Sequence, residues 1–366
     1  MAFKTSQTET KEKPIERKIS TSYFDFAIAD LVRKIEEKDI VIPHMQRNYV
    51  WNSGGNEIKA SRLIESLILG MPIPNFYFAE TETLVYDVID GQQRLTSCKR
   101  FMDNEFLLEG LEIMTELNGK RHSELEQIDR DKLKKRGVRA IVIGNESSPQ
   151  VKFDIFERLN TGSMSLSSQD VRHAIYDGNF NKLIIDLANL VKSSGKFHFS
   201  RELDNDIRSA EELVLRFFAF YAQGEANFGK ESSQLLKVFL NKFMEINRDL
   251  SESDIIFYRQ LFIDTFNTVT SYLDTPFNKK SKEEAKTSKK AEPKSNRGIF
   301  DMIMLAFACE SKNIKNGEVI SKSVFKKEYE SWLKNNNLDF SHTDSKNLVA
   351  RVNKIRDILT NSSLIQ

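Results

Sequence analysis

Five consecutive residues, Asp90-Gly91-Gln92-Gln93-Arg94, have the types and order that could handle a phosphate. An apolar run, Tyr86-Asp87-Val88-Ile89, reads as a strand leading into them, and Leu95-Thr96-Ser97 continues as a helix. Gly91 lets the backbone turn tightly and bring N–H groups close to a ligand. The first turn of the following helix adds donors and a positive dipole end. Arg94 supplies a planar fork for phosphate oxygens. Asp90 can hold Arg94 or neighbouring N–H groups in place, a positioning role that needs no chemistry. Gln92 and Gln93 are not bases at neutral pH, so their parts are to orient a water or to hydrogen-bond a phosphate or base. The pentapeptide alone also suits a hairpin turn followed by a solvated arginine, because Asp-Gly is common in such turns.

The elements that must position this loop are legible around it. Val41 to Trp51 contains a second Gln-Arg pair, Gln46-Arg47, after a short strand. Tyr49 and Trp51 either pack under the loop or stack on a base. Apolar spacing at Ile58, Leu63, Ile64, Leu67 and Ile68 predicts a helix from about Glu57 to Leu69, with Asn56 as its N-cap and Gly70 ending it before Pro72 and Pro74. Asn75–Glu80 and Leu84–Ile89 read as a hairpin, and Val138 to Ile143 as a further strand. From Ser148 the pattern turns helical. Asn160 either ends the first of these helices or turns its amide to a pocket, and another helix runs from about Ser167 to Tyr176. Glu211 to Tyr221 is apolar enough to be buried on most sides, Ile299 to Ala308 reads as a buried helix, and Asp344 to Leu359 closes the chain as a helix. Between these, residues 278–297 hold eight Lys or Arg against three Glu, a net +5. So little apolar surface predicts a disordered basic loop, either a solvated tether or a contact for nucleic-acid phosphates.

Three segments, Ile-Pro-x-x-Gln-Arg-x-Tyr-Val-Trp from Ile42, Gly-Met-Pro-Ile-Pro from Gly70 and Val-Ile-Asp-Gly-Gln-Gln-Arg-Leu-Thr from Val88, resemble in order and spacing the N-terminal domain family of the GmrSD restriction endonucleases. Phe156 to Gly162 and Leu166 to Arg172 extend the resemblance, which covers roughly Ser20 to Tyr221. It implies an α+β chain: a small mixed α/β domain with a core like that of ParB and sulfiredoxin, then a mainly helical domain. It also implies that the Asp-Gly-x-x-Arg loop handles nucleotide phosphates, with Asp90, Gln92, Gln93 and Arg94 in the chemistry and Gln46, Arg47, Gly91 and Arg94 in binding. The expected cofactor is a nucleoside triphosphate with Mg²⁺, and the expected partners are DNA and a separate nuclease chain. Longer relatives carry a His-Asn-His nuclease site. The five histidines here, His44, His122, His173, His198 and His342, show no paired-ligand spacing, so a stand-alone N-terminal domain with no dedicated metal site is expected. His173 beside Arg172 reads as a packing or surface residue. Asp87 or Asp90 could give the one carboxylate that Mg²⁺ on a nucleotide needs.

Composition sets the outer bounds. A chain of 366 residues with 40% hydrophobic content can bury a sizeable core and suits two domains. We expect a tail over 1–19, a nucleotide-binding domain over 20–145 and a helical domain over 146–366. A net charge of +1 excludes a protein that coats nucleic acid by its overall field, so DNA contacts should come from local patches. Cys98 and Cys309 form no disulfide framework, which fits a reducing cytoplasm, and neither an apolar leader nor a membrane-length apolar stretch occurs. The reading is a cytoplasmic nucleotide-binding protein of a prokaryotic restriction or phage-defence type that hydrolyses a triphosphate to act on DNA. Its alternative is a non-catalytic nucleotide or DNA sensor that leaves cutting to a partner, and a third reading has the same loop nick DNA. Which nucleotide it takes and how many chains assemble are left open.

Overall fold

The computed structural model describes residues 18–42, 49, 51, 57–81, 84–159, 168–197, 207–224, 236–278, 295–335 and 345–361. They contain fourteen α-helices and one five-stranded mixed sheet, an α+β chain. Described residues 18–159 form one compact unit and 168–361 a second. Residues 1–17 of the tail expected over 1–19, the cap Asn56, the turn at Asn160 and residues 279–294 of the basic loop expected over 278–297 lie outside the described residues. That loop's two ends are ordered, Asn278 against Ser295 and Arg297 as the first residue of a helix.

The first unit is built on the sheet. Strands β1 (Thr21–Ala27), β2 (Ile40–Val41), β3 (Phe76–Glu80), β4 (Tyr86–Asp90) and β5 (Gly137–Ile143) lie in the order β1-β5-β3-β4-β2. β3 and β4 form the expected hairpin, with Phe78 opposite Val88. β5 then pairs antiparallel with β1 and parallel with β3, while β2 runs parallel to β4. Phe76, Phe78, Val88, Ala140 and Val142 share one core with helices α1 (Ile28–Glu36), α2 (Glu57–Leu69), α3 (Gln92–Met102) and α4 (Gln127–Lys134).

Helix α2 has the bounds its apolar spacing predicts, and Leu63, Ile64, Leu67 and Ile68 are buried. Removing each such side chain from water stabilises the unit by roughly 1.5–3 kcal/mol. Gly70, at φ +83°, ends it: the Gly70 N–H donates to Leu67 O and the Met71 N–H to Ser66 O, a left-handed cap that satisfies the last carbonyls. The unit also takes in α5 (Pro149–Leu159), so it runs past Asn145, where the apolar pattern turns helical.

The second unit is helical throughout: α6 (Ser168–Ile175), α7 (Asn179–Ser193), α8 (Ile207–Ala222), α9 (Leu236–Ile246), α10 (Glu252–Tyr272), α11 (Arg297–Cys309), α12 (Ser311–Asn316), α13 (Lys322–Asn335) and α14 (Ser345–Leu359). α8 and α11 are its centre. Leu213 to Phe220 and Ile299 to Ala308 are buried without a break, as the continuous apolar runs predict. The two charges in those stretches, Arg216 and Asp301, face each other. Asn296 Oδ1 caps α11 by accepting from the N–H groups of Gly298 and Ile299. Asn278 and Ser295, which flank the basic stretch, are joined by an antiparallel bridge. No helix among the described residues is long and apolar enough to cross a membrane.

Candidate functional site

β4 delivers Asp90 to the edge of the core, and Gly91 turns the chain into α3 with φ +105° and ψ 6°. An L side chain rarely adopts that conformation. Space excludes one as well, because a Cβ on Gly91 would lie 2.3 Å from Phe76 Cδ1. Opposite the turn, the β3–β4 register shifts between Tyr77 and Phe78, a bulge of the kind that re-aims a strand end. Gly91 is the N-cap of α3 and offers no side chain to its first turn. The positive end of the helix dipole is therefore not covered by its own cap.

Arg94 sits one helical turn after Asp90 and points inward. Its Nη1 donates to Pro74 O, and its Nη2 donates to Asn75 O at 3.1 Å and to Asp90 Oδ2 at 2.7 Å. The guanidinium lies over the Phe76 ring, 4.7 Å from its centroid. Burial lowers its pKa from the ordinary arginine range, and the charge of Asp90 works against that fall. Arginine keeps its proton through such a shift. Much of the fork that the sequence aims at phosphate is thus spent on the carbonyls before β3 and on the Asp90 carboxylate. Asp90 itself stays accessible, with 42% of its side chain exposed and one oxygen turned to Arg94. Gln92 and Gln93, in the first turn of α3, are partly exposed.

Tyr49 is anchored on α3. Tyr49 Oη lies 2.9 Å from Ser97 Oγ, Ser97 Oγ donates to Gln93 O at 2.7 Å, and the Arg100 guanidinium lies 4.7 Å from the Tyr49 ring centroid. Trp51 packs against the first core. Both aromatics therefore pack, the first of the two roles open to them. Gln46 and Arg47 lie outside the described residues. Cys98, one turn past Arg94, has its thiol pushed up to about 12 by burial, so it supplies no thiolate near neutral pH. His173 is buried with Nδ1 3.4 Å from Glu211, a packing position.

Among the described residues no three His, Cys, Asp or Glu side chains gather as a metal cage would. The donor set nonetheless fits a nucleotide-borne Mg²⁺. Such an ion needs one or two carboxylates besides phosphate and water, and Asp90 presents an accessible oxygen beside the dipole end of α3.

Pro74, Asn75 and Phe76 complete the loop, although the sequence marks them only as a Pro-rich approach to a strand. Their signal is the Gly-Met-Pro-Ile-Pro segment, which ends at Pro74, the first of the two carbonyls that Arg94 meets. Ser97 carries no signal beyond its place on the buried side of α3. Residues 28–176 match the family described as GmrSD restriction endonuclease, N-terminal domain. The chain matches no curated protein and no solved structure.

Proposed function

With residues 28–176 belonging to the GmrSD restriction endonuclease N-terminal domain family, we propose that this chain binds a nucleoside triphosphate at Asp90–Arg94 and hydrolyses it in the service of DNA restriction. The observation that supports this most is the start of α3 on a left-handed glycine, with a guanidinium fixed directly beneath it. Phosphates rest against the N-terminal turn of α3, where backbone donors and the dipole favour negative charge. Arg94 adds a positive charge that three protein acceptors already hold, so it needs no reorganisation when charge develops. Asp90 is the carboxylate that would hold a nucleotide-borne Mg²⁺, which when bound would offset phosphate charge. Gln92 or Gln93 orients the attacking water. Gln46 and Arg47 extend the phosphate contacts on the strength of the sequence resemblance. The setting is the cytoplasm, with DNA and a separate nuclease chain as partners.

Phosphate release from each of the four ribonucleoside triphosphates, with and without duplex DNA, tests the reading. The wild type should turn over, and the double variant Gln92→Ala, Gln93→Ala should keep binding but lose most turnover. Failure of the wild type to bind any triphosphate in a calorimetric titration would sink the proposal. A sensor that binds without hydrolysis is the second reading. The inward commitment of Arg94 favours it, because that leaves less of the fork for the transferred group. Saturable binding without phosphate release would select it.

A further inference from the structure

We propose that β1 is a docking edge on which a second copy of this chain adds its own β1, joining two sheets across a two-fold axis. The two edges of the sheet differ. β2, at one edge, is two residues long, which blunts it, whereas β1 at the other runs seven residues as Thr-Ser-Tyr-Phe-Asp-Phe-Ala with no Pro, Lys or Gly to discourage pairing.

The pairing pattern shows which groups face outward. The Gly144 N–H donates to Ser20 O at 2.9 Å and the Ile28 N–H to Arg136 O at 3.0 Å. With Thr21 opposite Ile143, these bonds put the even residues of β1 in hydrogen-bonded pairs with β5. The odd residues, Thr21, Tyr23, Asp25 and Ala27, therefore turn their N–H and C=O groups to the open edge, and among the described residues no strand meets them there. Tyr23 is 67% exposed and Phe24 40%. Phe24 lies on the core side beside Phe26, at a ring-centroid distance of 5.8 Å, and no further strand among the described residues covers it.

A second copy fits this edge because the strand is complementary to itself. An antiparallel pairing centred on Phe24 sets Tyr23 against Asp25 and Thr21 against Ala27 of the other copy, so that all the outward residues are used, for about eight interchain bonds. The same register stacks Phe24 on its own equivalent at the close, non-bonded position. It also keeps the two Asp25 carboxylates from facing each other, and each is already matched by Arg139 at 2.9 and 3.1 Å. Geometry and charge select one register.

Light scattering tests the pairing on the full chain. The wild type should give twice the 42.3 kDa chain mass. Phe24→Lys, which sets two ammonium groups at the axis, should halve that mass. Tyr23→Pro should do the same, since it removes an outward N–H and spares the bonds to β5. Circular dichroism should stay unchanged in both. A pair of single-cysteine additions reads the register independently of these variants. Phe24→Cys places its Cα atoms about 4.5 Å apart, within disulfide reach, so it should cross-link in oxidant about tenfold more than Tyr23→Cys. A wild type of single-chain mass, variants that remain paired, or preferential cross-linking through Tyr23→Cys would each overturn the proposal.

Discussion

Two arginine–aspartate pairs in this chain are built from the same groups and do different things. In the first unit Arg94 and Asp90 are one helical turn apart in sequence, and Asp90 remains open to solvent. In the second, Arg216 of α8 and Asp301 of α11 come from positions 85 residues apart and are both buried. Burial pulls the Arg216 pKa down, yet the charge and hydrogen bonds of Asp301, together with the charge of Glu212, outweigh it and hold that pKa above its ordinary value. Burial likewise pushes the Asp301 carboxyl up, against the pull of Arg216. One pair shapes a loop at the surface, and the other joins two helices through a dry interior. What separates them is access to water, because a desolvated charge has no substitute for its partner.

The largest effect should follow from breaking the buried pair. Arg216→Ala leaves Asp301 charged or protonated in an apolar centre, and should cost about 3–5 kcal/mol in urea unfolding. The double change Arg216→Met, Asp301→Leu should recover most of that loss, since replacing both partners by apolar groups of similar volume is often neutral or stabilising. If the double variant were as unstable as the single one, the pair would be contributing specific structure that packing cannot replace.

Arg94→Ala comes next and separates two roles in the first unit. It removes bonds to Pro74 O, Asn75 O and Asp90 together, and should cost roughly 2–3 kcal/mol along with triphosphate affinity. Arg94→Lys keeps a charge but not the fork, so stability should fall with only part of the affinity lost. Affinity lost without any change in the urea midpoint would show that Arg94 serves the ligand alone. Gly91→Ala should then cost about 1–2 kcal/mol from backbone strain, with displacement of Phe76 on top of it.

These contrasts explain which parts of the chain were legible in the sequence. α2 and the β3–β4 hairpin could be read because local signals agree: apolar spacing, a left-handed glycine stop at Gly70, and alternation around a short turn. β1 was hidden for the opposite reason. Five of its seven residues are exposed, so it carries no burial rhythm to read. The turn at Asp90–Arg94 was visible as a motif, whereas the direction of Arg94 depends on carbonyls about twenty residues earlier and on a bulge in β3. Arg216 stood inside an apolar run with nothing nearby to name its partner. Pairing between distant segments is set by topology, which local spacing does not encode.

A third basic side chain sharpens the comparison because burial and neighbouring cations, with no carboxylate to oppose them, act on it. His122 is buried in the first unit, edge-on to Phe101 at 5.8 Å, and its Nε2 makes no hydrogen bond. Burial lowers its pKa from 6.5, and the charges of Lys134 and Arg130 lower it further. Well above pH 6.5, from about pH 7.5 upward, the ring is neutral in both folded and unfolded chains, and it adds no pH dependence. As pH falls below 6.5 the unfolded chain takes up the proton first, so stability is lost progressively until the folded pKa is passed. The urea midpoint should therefore drop as pH falls from about 7.5 through 6.5 and below, and His122→Phe should reduce that drop while leaving the higher-pH value nearly unchanged. An undiminished drop in His122→Phe would place the acid sensitivity elsewhere. Where Arg94 and Arg216 stay charged and have that charge compensated by an aspartate, His122 escapes the same cost only by giving up its proton.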